Sequence, residues 1–272
     1  MPRKGMIIDL ARCAGCGSCV VACQMQNNTR PGIAWVNLDR CEWGEYPQAG
    51  RAYLPHACMQ CDEPPCVAVC PTGASYTTDE GVTLVNYEDC INCGQCVIAC
   101  PYGARHSNKG GDFFFDSSEP SPYEAEGVQR EDVMEKCIFC NDLVAAGGQP
   151  ACVANCPGKA RVFGDIDDPE SDISKKIAAG GKKVGATGFY YTATAGMPGD
   201  MIASKVMVGA APAATPEDDE KKPTAAEPGI SPVAIGAGVV VVAAGVGIGV
   251  AAKKNSDKKK AAQGVDKDGG QK

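Results

Sequence analysis

The chain has 272 residues, 44% of them hydrophobic but only 6% aromatic, with 33 Gly, 19 Pro and 17 Cys. A core so poor in large side chains rules out a domain held by apolar packing alone and requires bound groups that tie the loops together. The net charge of −7, with 17 Lys+Arg against 25 Asp+Glu in residues 1–205, removes nucleic acid from the expected partners.

In chain order, the N-terminal Met1-Pro2-Arg3-Lys4-Gly5 has no apolar run of the kind that directs export. The first cysteine group follows, Cys13-Ala14-Gly15-Cys16-Gly17-Ser18-Cys19 and then Cys23. An insertion of 34 residues, 24–57, carries Trp35, Cys41, Trp43 and His56. Group two widens its second gap, with Cys58, Cys61, Cys66 and then Cys70-Pro71. Group three is compact, with Cys90, Cys93, Cys96 and Cys100-Pro101. A second insertion of 36 residues, 101–136, carries His106 and Phe113-Phe114-Phe115. Group four separates Cys137 and Cys140 from Cys152 by eleven residues and closes with Cys156-Pro157.

Each group ends in Cys-Val-x-x-Cys, and that spacing has a chemical reading. Three cysteines at C-x2-C-x2-C wrap one cubane, and the fourth, followed by proline, points away to a second cluster, as in two-cluster bacterial ferredoxins. A single CxxC pair would suit structural zinc. Four cysteines within eleven residues would strain one tetrahedral ion, and a disulfide framework would not repeat its spacing four times. Sixteen of the 17 cysteines therefore fit four 4Fe-4S clusters, an electron wire. There is no nucleophile with a paired base and no Gly-rich phosphate loop, and the only histidines are His56 and His106. No catalytic apparatus is expected.

Beyond residue 205 the composition changes. Residues 206–229 read as a flexible linker. Residues 233–252 are twenty Val, Ile, Ala and Gly, which as a helix span about 30 Å, the thickness of a bilayer core. Gly and Ala insert weakly, so a low-complexity tail is the competing reading. A C-terminal transmembrane helix over 230–252 is nevertheless expected, followed by a lysine-rich tail, 253–272, suited to anionic lipid. Lys253, Lys254, Lys258, Lys259 and Lys260 outnumber Lys221 and Lys222 before the span, which puts the C-terminus in the cytoplasm and the cysteine-rich domain outside it. Without an export signal the domain would cross as a passenger on a partner; the alternative is the cytoplasmic face.

Several segments together resemble the four-cluster iron-sulfur subunits of the DMSO reductase, polysulfide reductase and formate dehydrogenase type molybdoenzymes. They are the order of the groups, Pro64-Pro65-Cys66, Cys70-Pro71-Thr72-Gly73-Ala74, Cys100-Pro101-Tyr102-Gly103-Ala104-Arg105, Lys136-Cys137-Ile138-Phe139-Cys140 and the run from Arg161-Val162-Phe163-Gly164-Asp165 to Pro169. The resemblance covers residues 5 to 200 and implies an α+β fold of two bacterial-ferredoxin-like modules with insertions. One module combines groups one and four, the other groups two and three. It also implies the ligand sets: Cys13, Cys16, Cys19 and Cys156 for cluster 1; Cys23, Cys137, Cys140 and Cys152 for cluster 2; Cys58, Cys61, Cys66 and Cys100 for cluster 3; Cys70, Cys90, Cys93 and Cys96 for cluster 4. Some relatives replace a group-three cysteine and carry a three-iron cluster, but Cys93 is present here. The pairing of group one with group four rests on the resemblance alone.

The implied partner is a molybdopterin catalytic subunit on the group-one side, with the quinone pool or a quinol-reactive membrane subunit on the group-three side. The competing reading is a free-standing, membrane-anchored polyferredoxin serving several redox partners. Substrate and direction of electron flow are not written in a wire. Among residues near the ligands, Lys136, Arg105, Lys159 and Arg161 are either cations beside the clusters or solvated surface charge. His56 and His106 read as surface or supporting residues, Cys41 as a buried free thiol, and the insertion aromatics as ordinary packing.

Overall fold

A computed structural model of the chain describes residues 2–114 and 118–207, which lie in the first of two units, Met1–Asp219 and Glu220–Lys272. The expected transmembrane helix and lysine-rich tail fall outside the described residues. Among the described residues no helix is long and apolar enough to cross a membrane.

The first half of the described chain runs β1 (Lys4–Asp9), α1 (Ser18–Asn27), β2 (Asn37–Trp43), β3 (Gly50–His56), α2 (Pro65–Ala68), β4 (Ser75–Thr77), β5 (Thr83–Val85) and α3 (Gln95–Ala99). The second half runs β6 (His106–Asn108), α4 (Pro122–Glu126), β7 (Val133–Glu135), α5 (Asn141–Ala145), α6 (Ala151–Ala154), β8 (Arg161–Asp165), α7 (Asp172–Ala178), β9 (Lys182–Lys183), β10 (Phe189–Thr192) and α8 (Met201–Val206). A four-stranded sheet has the order β8-β1-β10-β9. Its β1–β10 pair is parallel and the other two pairs are antiparallel. Three hairpins, β2-β3, β4-β5 and β6-β7, complete the strands.

The central strand β1 is covered on both faces, so Met6, Ile7 and Ile8 are all buried although successive side chains point oppositely. Met6 and Ile8 join the main core with Phe139, Phe163, Phe189 and Tyr191, while α7, carrying the buried Ile173, packs on β1 and β8. The few aromatics are concentrated there: Phe139 meets Phe163 edge-on at 5.1 Å between centroids, and Phe189 lies 5.6 Å from Tyr191. The Tyr191 hydroxyl donates to the Pro55 carbonyl at 2.9 Å, tying the β2-β3 hairpin to the sheet.

The helices that carry cysteines pair as two modules would require: α1 packs on α6, and α2 on α3. Most span only one or two turns, too short to persist without tertiary support. The insertions are packed rather than spare. Trp35 donates to Glu135 at 3.0 Å, and Glu135 also takes bonds from Asn108 at 2.7 Å and Arg130 at 2.9 Å. Trp35 and Glu135 are buried, so this carboxylate joins the first insertion to the second. Phe113 stacks under the Arg30 guanidinium, 3.7 Å from the ring centroid.

Candidate metal centres

Three of the expected quartets line cavities. Cys13, Cys16, Cys19 and Cys156 surround one; Cys58, Cys61, Cys66 and Cys100 a second; Cys70, Cys90, Cys93 and Cys96 a third. Their empty volumes are alike, ≈ 410, 320 and 310 Å³ with solvent at the mouth included, as three guests of one size would need. The remaining four also meet: the Cys23 thiol is pushed far up by burial and then by Cys137, Cys152 and Cys140 around it. Asn27 bridges this quartet, its Nδ2 lying 3.5 Å from Cys23 Sγ and 3.8 Å from Cys140 Sγ. Among the described residues, no three Cys, His, Asp or Glu side chains converge on a point that a single ion could fill. Three of the four quartets stand around volumes of the kind a cluster needs.

Local backbone explains the loops. In the first CxxC of each group the residue before the second cysteine has positive φ: Gly15 at 67°, Gln60 at 49°, Asn92 at 50° and Phe139 at 54°. The left-handed turn swings the second thiol back beside the first, at about 1–2 kcal/mol for a non-glycine residue. Group one needs glycine for a second reason, because a Cβ at Gly15 would lie 2.4 Å from the Tyr53 ring. Gly17 has φ 75° with nothing within 4 Å of its would-be Cβ. Gly15→Ala is therefore expected to destabilise the protein by about 1–3 kcal/mol more than Gly17→Ala, read as the difference in denaturant midpoint.

The crossover of the fourth cysteine follows from α1. Cys19 and Cys23 stand one turn apart on it, about 6 Å in rise, so the first reaches the group-one loop and the second the quartet beyond. The exit turns then aim N–H groups at sulfur: Ala160 N to Cys156 Sγ at 3.3 Å, Ala104 N to Cys100 Sγ at 3.5 Å, Ser75 N to Cys70 Sγ at 3.4 Å. Such bonds favour thiolate, the ligating form. Burial pushes the Cys70 thiol up, but the Ser75 and Thr72 hydrogen bonds outweigh it and leave it below its ordinary value. The exposed Cys16 thiol is lowered by the Ser18 hydroxyl, 3.4 Å away. Inside, burial and then neighbouring thiolates push Cys61 and Cys137 up to about 12.

The walls hold donors with no acceptor: Arg105 Nη1, Arg161 Nη2 and Thr83 Oγ1 are buried without a hydrogen-bond partner in the protein. Arg161 lines the cavity of Cys13, and Arg105 and Thr83 that of Cys58. Orphaned donors beside thiolate-lined cavities fit sulfide-rich clusters, whose bridging sulfurs accept hydrogen bonds.

Comparison with known proteins agrees. The 4Fe-4S dicluster domain family matches residues 50–114 and 112–166, and a 4Fe-4S binding domain matches residues 10–26. The arsenate respiratory reductase iron-sulfur subunit of Shewanella sp. strain ANA-3 is 38% identical over 203 residues, 64% of this chain and 87% of that one. A subunit of the sulfite dehydrogenase of Allochromatium vinosum is 36% identical over 199 residues, 65% and 75% of the two chains. One of the polysulfide reductase chains of Wolinella succinogenes is 36% identical over 184 residues, 65% and 84%. The chain belongs to the iron-sulfur subunits of the DMSO reductase and polysulfide reductase family.

In this iron-sulfur subunit the seventeenth cysteine, Cys41, is a buried free thiol on β2, paired in register with Ala52 and outside the lining of the three cysteine cavities. His56 pairs with Asp39 at 3.1 Å; burial lowers its pKa although Asp39 opposes that. His106 sits on β6, and burial lowers its pKa as well. Neither histidine lines a cysteine cavity. The four cations near the ligands separate sharply: Lys159 is exposed, whereas Arg105, Lys136 and Arg161 are buried. The signal that distinguishes them is a repeat, Cys-Pro-x-x-Ala-Arg, at Cys100 to Arg105 and again at Cys156 to Arg161.

Proposed function

We propose that this subunit is the electron wire of a membrane-associated molybdopterin oxidoreductase, carrying four 4Fe-4S clusters on the four quartets named above. The observation that carries the reading is a series with open ends. The quartets of Cys13 and Cys23 share α1. Those of Cys23 and Cys58 meet where Gln60 Nε2 donates to the Cys137 carbonyl at 3.0 Å and where Cys58 raises the Cys137 thiol after burial. Those of Cys58 and Cys70 share the packed pair α2 and α3. Of the sixteen ligands only Cys16 and Cys93 are exposed, one at each end of the series.

When bound, each cluster supplies reversible one-electron storage. The chain's own residues hold the thiolates, shield the two inner quartets from water, and open the outer two to partners. At the Cys13 end the partner is a molybdopterin catalytic subunit, which exchanges two electrons with its substrate and passes them singly. At the Cys93 end the electrons reach, or come from, the quinone pool directly or through a membrane subunit. Residues 230–252 would anchor the chain, with the cluster domain outside the cytoplasm and the C-terminus within; the supporting observation is the lysine excess after residue 252.

Mild solubilisation of the full chain from its native membrane tests this. The expected result is co-purification, in fixed stoichiometry, with a large molybdenum-containing subunit that reduces the clusters when given its substrate. Isolation as a stable monomer that exchanges electrons with several soluble carriers equally well overturns it in favour of a free-standing polyferredoxin.

A further inference from the structure

Three cations occupy the interior of this protein without a carboxylate beside them. Arg105 and Arg161 are 4% exposed and Lys136 0%. Among the described residues no salt bridge includes any of them, whereas the fourth buried cation, Arg130, has Glu135 at 2.9 Å. An unpaired buried cation is costly, so a counter-charge is needed, and thiolates face all three.

Arg161 Nη1 lies 3.7 Å from Cys152 Sγ and 3.4 Å from Met6 Sδ, and the side chain lines the cavity of Cys13, Cys16, Cys19 and Cys156. Cys152 belongs to the second quartet and Cys19 to the first. Arg105 Nη2 lies 2.9 Å from Cys66 Sγ, in the third quartet, and faces Cys96 in the fourth. Burial would lower both guanidinium pKa values, yet the surrounding thiolates more than offset it and both stay raised. Lys136 donates to the carbonyls of Thr83 and of Cys137, the latter at 2.8 Å. Thr83 lines the cavity of Cys58 and Cys137 is a member of the quartet of Cys23. The two arginines stand at equivalent places in the two Cys-Pro-x-x-Ala-Arg repeats, and each keeps one buried nitrogen free of any protein acceptor.

We propose that Arg161, Lys136 and Arg105 each fill one of the three gaps in the cluster series, and that each raises the reduction potentials of both clusters it faces. The inference rests on the four-cluster reading above. Reduction adds one electron to a cluster, and a fixed positive charge in the gap stabilises that added charge on either side of it. A hydrogen bond to cluster sulfur from the free guanidinium nitrogen acts in the same direction. The gaps thus remain level for an electron passing in either direction.

The test is a spectroscopic redox titration of the full chain in its complex. Wild type must first give four one-electron iron-sulfur midpoints belonging to this chain; any other number of these sinks the four-cluster reading rather than this one. Arg161→Gln and Arg105→Gln are then each expected to lower two midpoints, reducing the reduced-to-oxidised ratio at fixed potential about tenfold, which is about 59 mV for one electron. The two pairs must be disjoint, and Lys136→Met must lower one midpoint from each pair. That pattern requires no prior assignment of signals to clusters. Shifts in one midpoint, in all four or in none overturn the proposal, since loosened packing has no reason to respect the pairs. Where a variant loses iron, Arg161→Lys, Arg105→Lys and Lys136→Arg decide. With the charge kept, midpoints within about threefold of the wild-type ratio support it, and a tenfold fall overturns it.

Discussion

Removing the iron is expected to abolish the cooperative unfolding of this protein. The described chain has ten strands, one of them only two residues long, and eight helices, none longer than ten residues. Cysteines take the places that large apolar side chains fill elsewhere: Cys23, Cys58, Cys100, Cys137 and Cys152 are members of the main core, and Cys66 and Cys96 of a second one. A structural metal site in a small domain contributes on the order of 10 kcal/mol of folding free energy, against a net stability of about 5–15 kcal/mol for a whole domain. Losing several such sites exceeds what the remaining packing supplies. The thiols add a pH dependence. Burial and neighbouring thiolates hold Cys61 and Cys137 at about 12 in the fold, above the ordinary thiol value, so the iron-free fold favours their protonated forms. That contribution is complete below about pH 8.5 and is lost as pH rises through the folded value near 12. Cluster assembly runs oppositely, because each ligand must release its proton. Anaerobic thermal melts of holo and chelator-treated protein are the check. An iron-free chain that melts cooperatively within a few degrees of the holo midpoint overturns the argument.

How much of this is legible in the sequence differs residue by residue, for physical reasons. That a fourth cysteine leaves its own loop can be read from spacing, because i and i+4 on a helix fix a one-turn displacement. That Cys23 meets Cys137 cannot, since 113 residues lie between the two and no local pattern encodes a contact at such range; it follows only from a family resemblance. The parallel pairing of β1 with β10 is equally hidden, because Phe189 and Tyr191 have the period of any half-buried strand. The insertion aromatics read as packing, and Trp35 on Glu135 shows why: the first insertion closes over the Lys136 end of the second.

The cations show the limit of composition as a guide. Lys159 and Arg161 are two residues apart and equally basic, yet one is exposed and the other lies beneath β1 in register with Ile8. Lys159 sits in the turn after Cys156 with a left-handed φ of 46°, whereas Arg161 opens β8. A carboxylate partner is the feature to look for, and its absence at three buried positions, beside its presence at Arg130, turns an ambiguous charge into a statement about the clusters.

Exchanging a closing cysteine is expected to damage the neighbouring site and spare its own group. Cys100 follows Cys90, Cys93 and Cys96 in sequence, but its thiol lines the cavity of Cys58, Cys61 and Cys66. Cys70 follows that second trio and lines the cavity of the third group. In Cys100→Ala the site of Cys58, Cys61 and Cys66 is expected to lose iron, in whole or down to a three-iron form, so that total iron falls by up to about a quarter. Cys70→Ala should do the reverse. The readout is alkylation under anaerobic, native conditions followed by peptide mass analysis. In Cys100→Ala, label appears first on Cys58, Cys61 and Cys66 while Cys90, Cys93 and Cys96 stay protected, and in Cys70→Ala the two trios change places. The hydrogen bond of Arg105 to Cys66 makes the first variant the harsher one, because an emptied third site leaves that buried guanidinium facing thiols in place of a cluster. Label on Cys90, Cys93 and Cys96 in Cys100→Ala would mean that each group closes on itself, and the two-module exchange of ligands would fall with it.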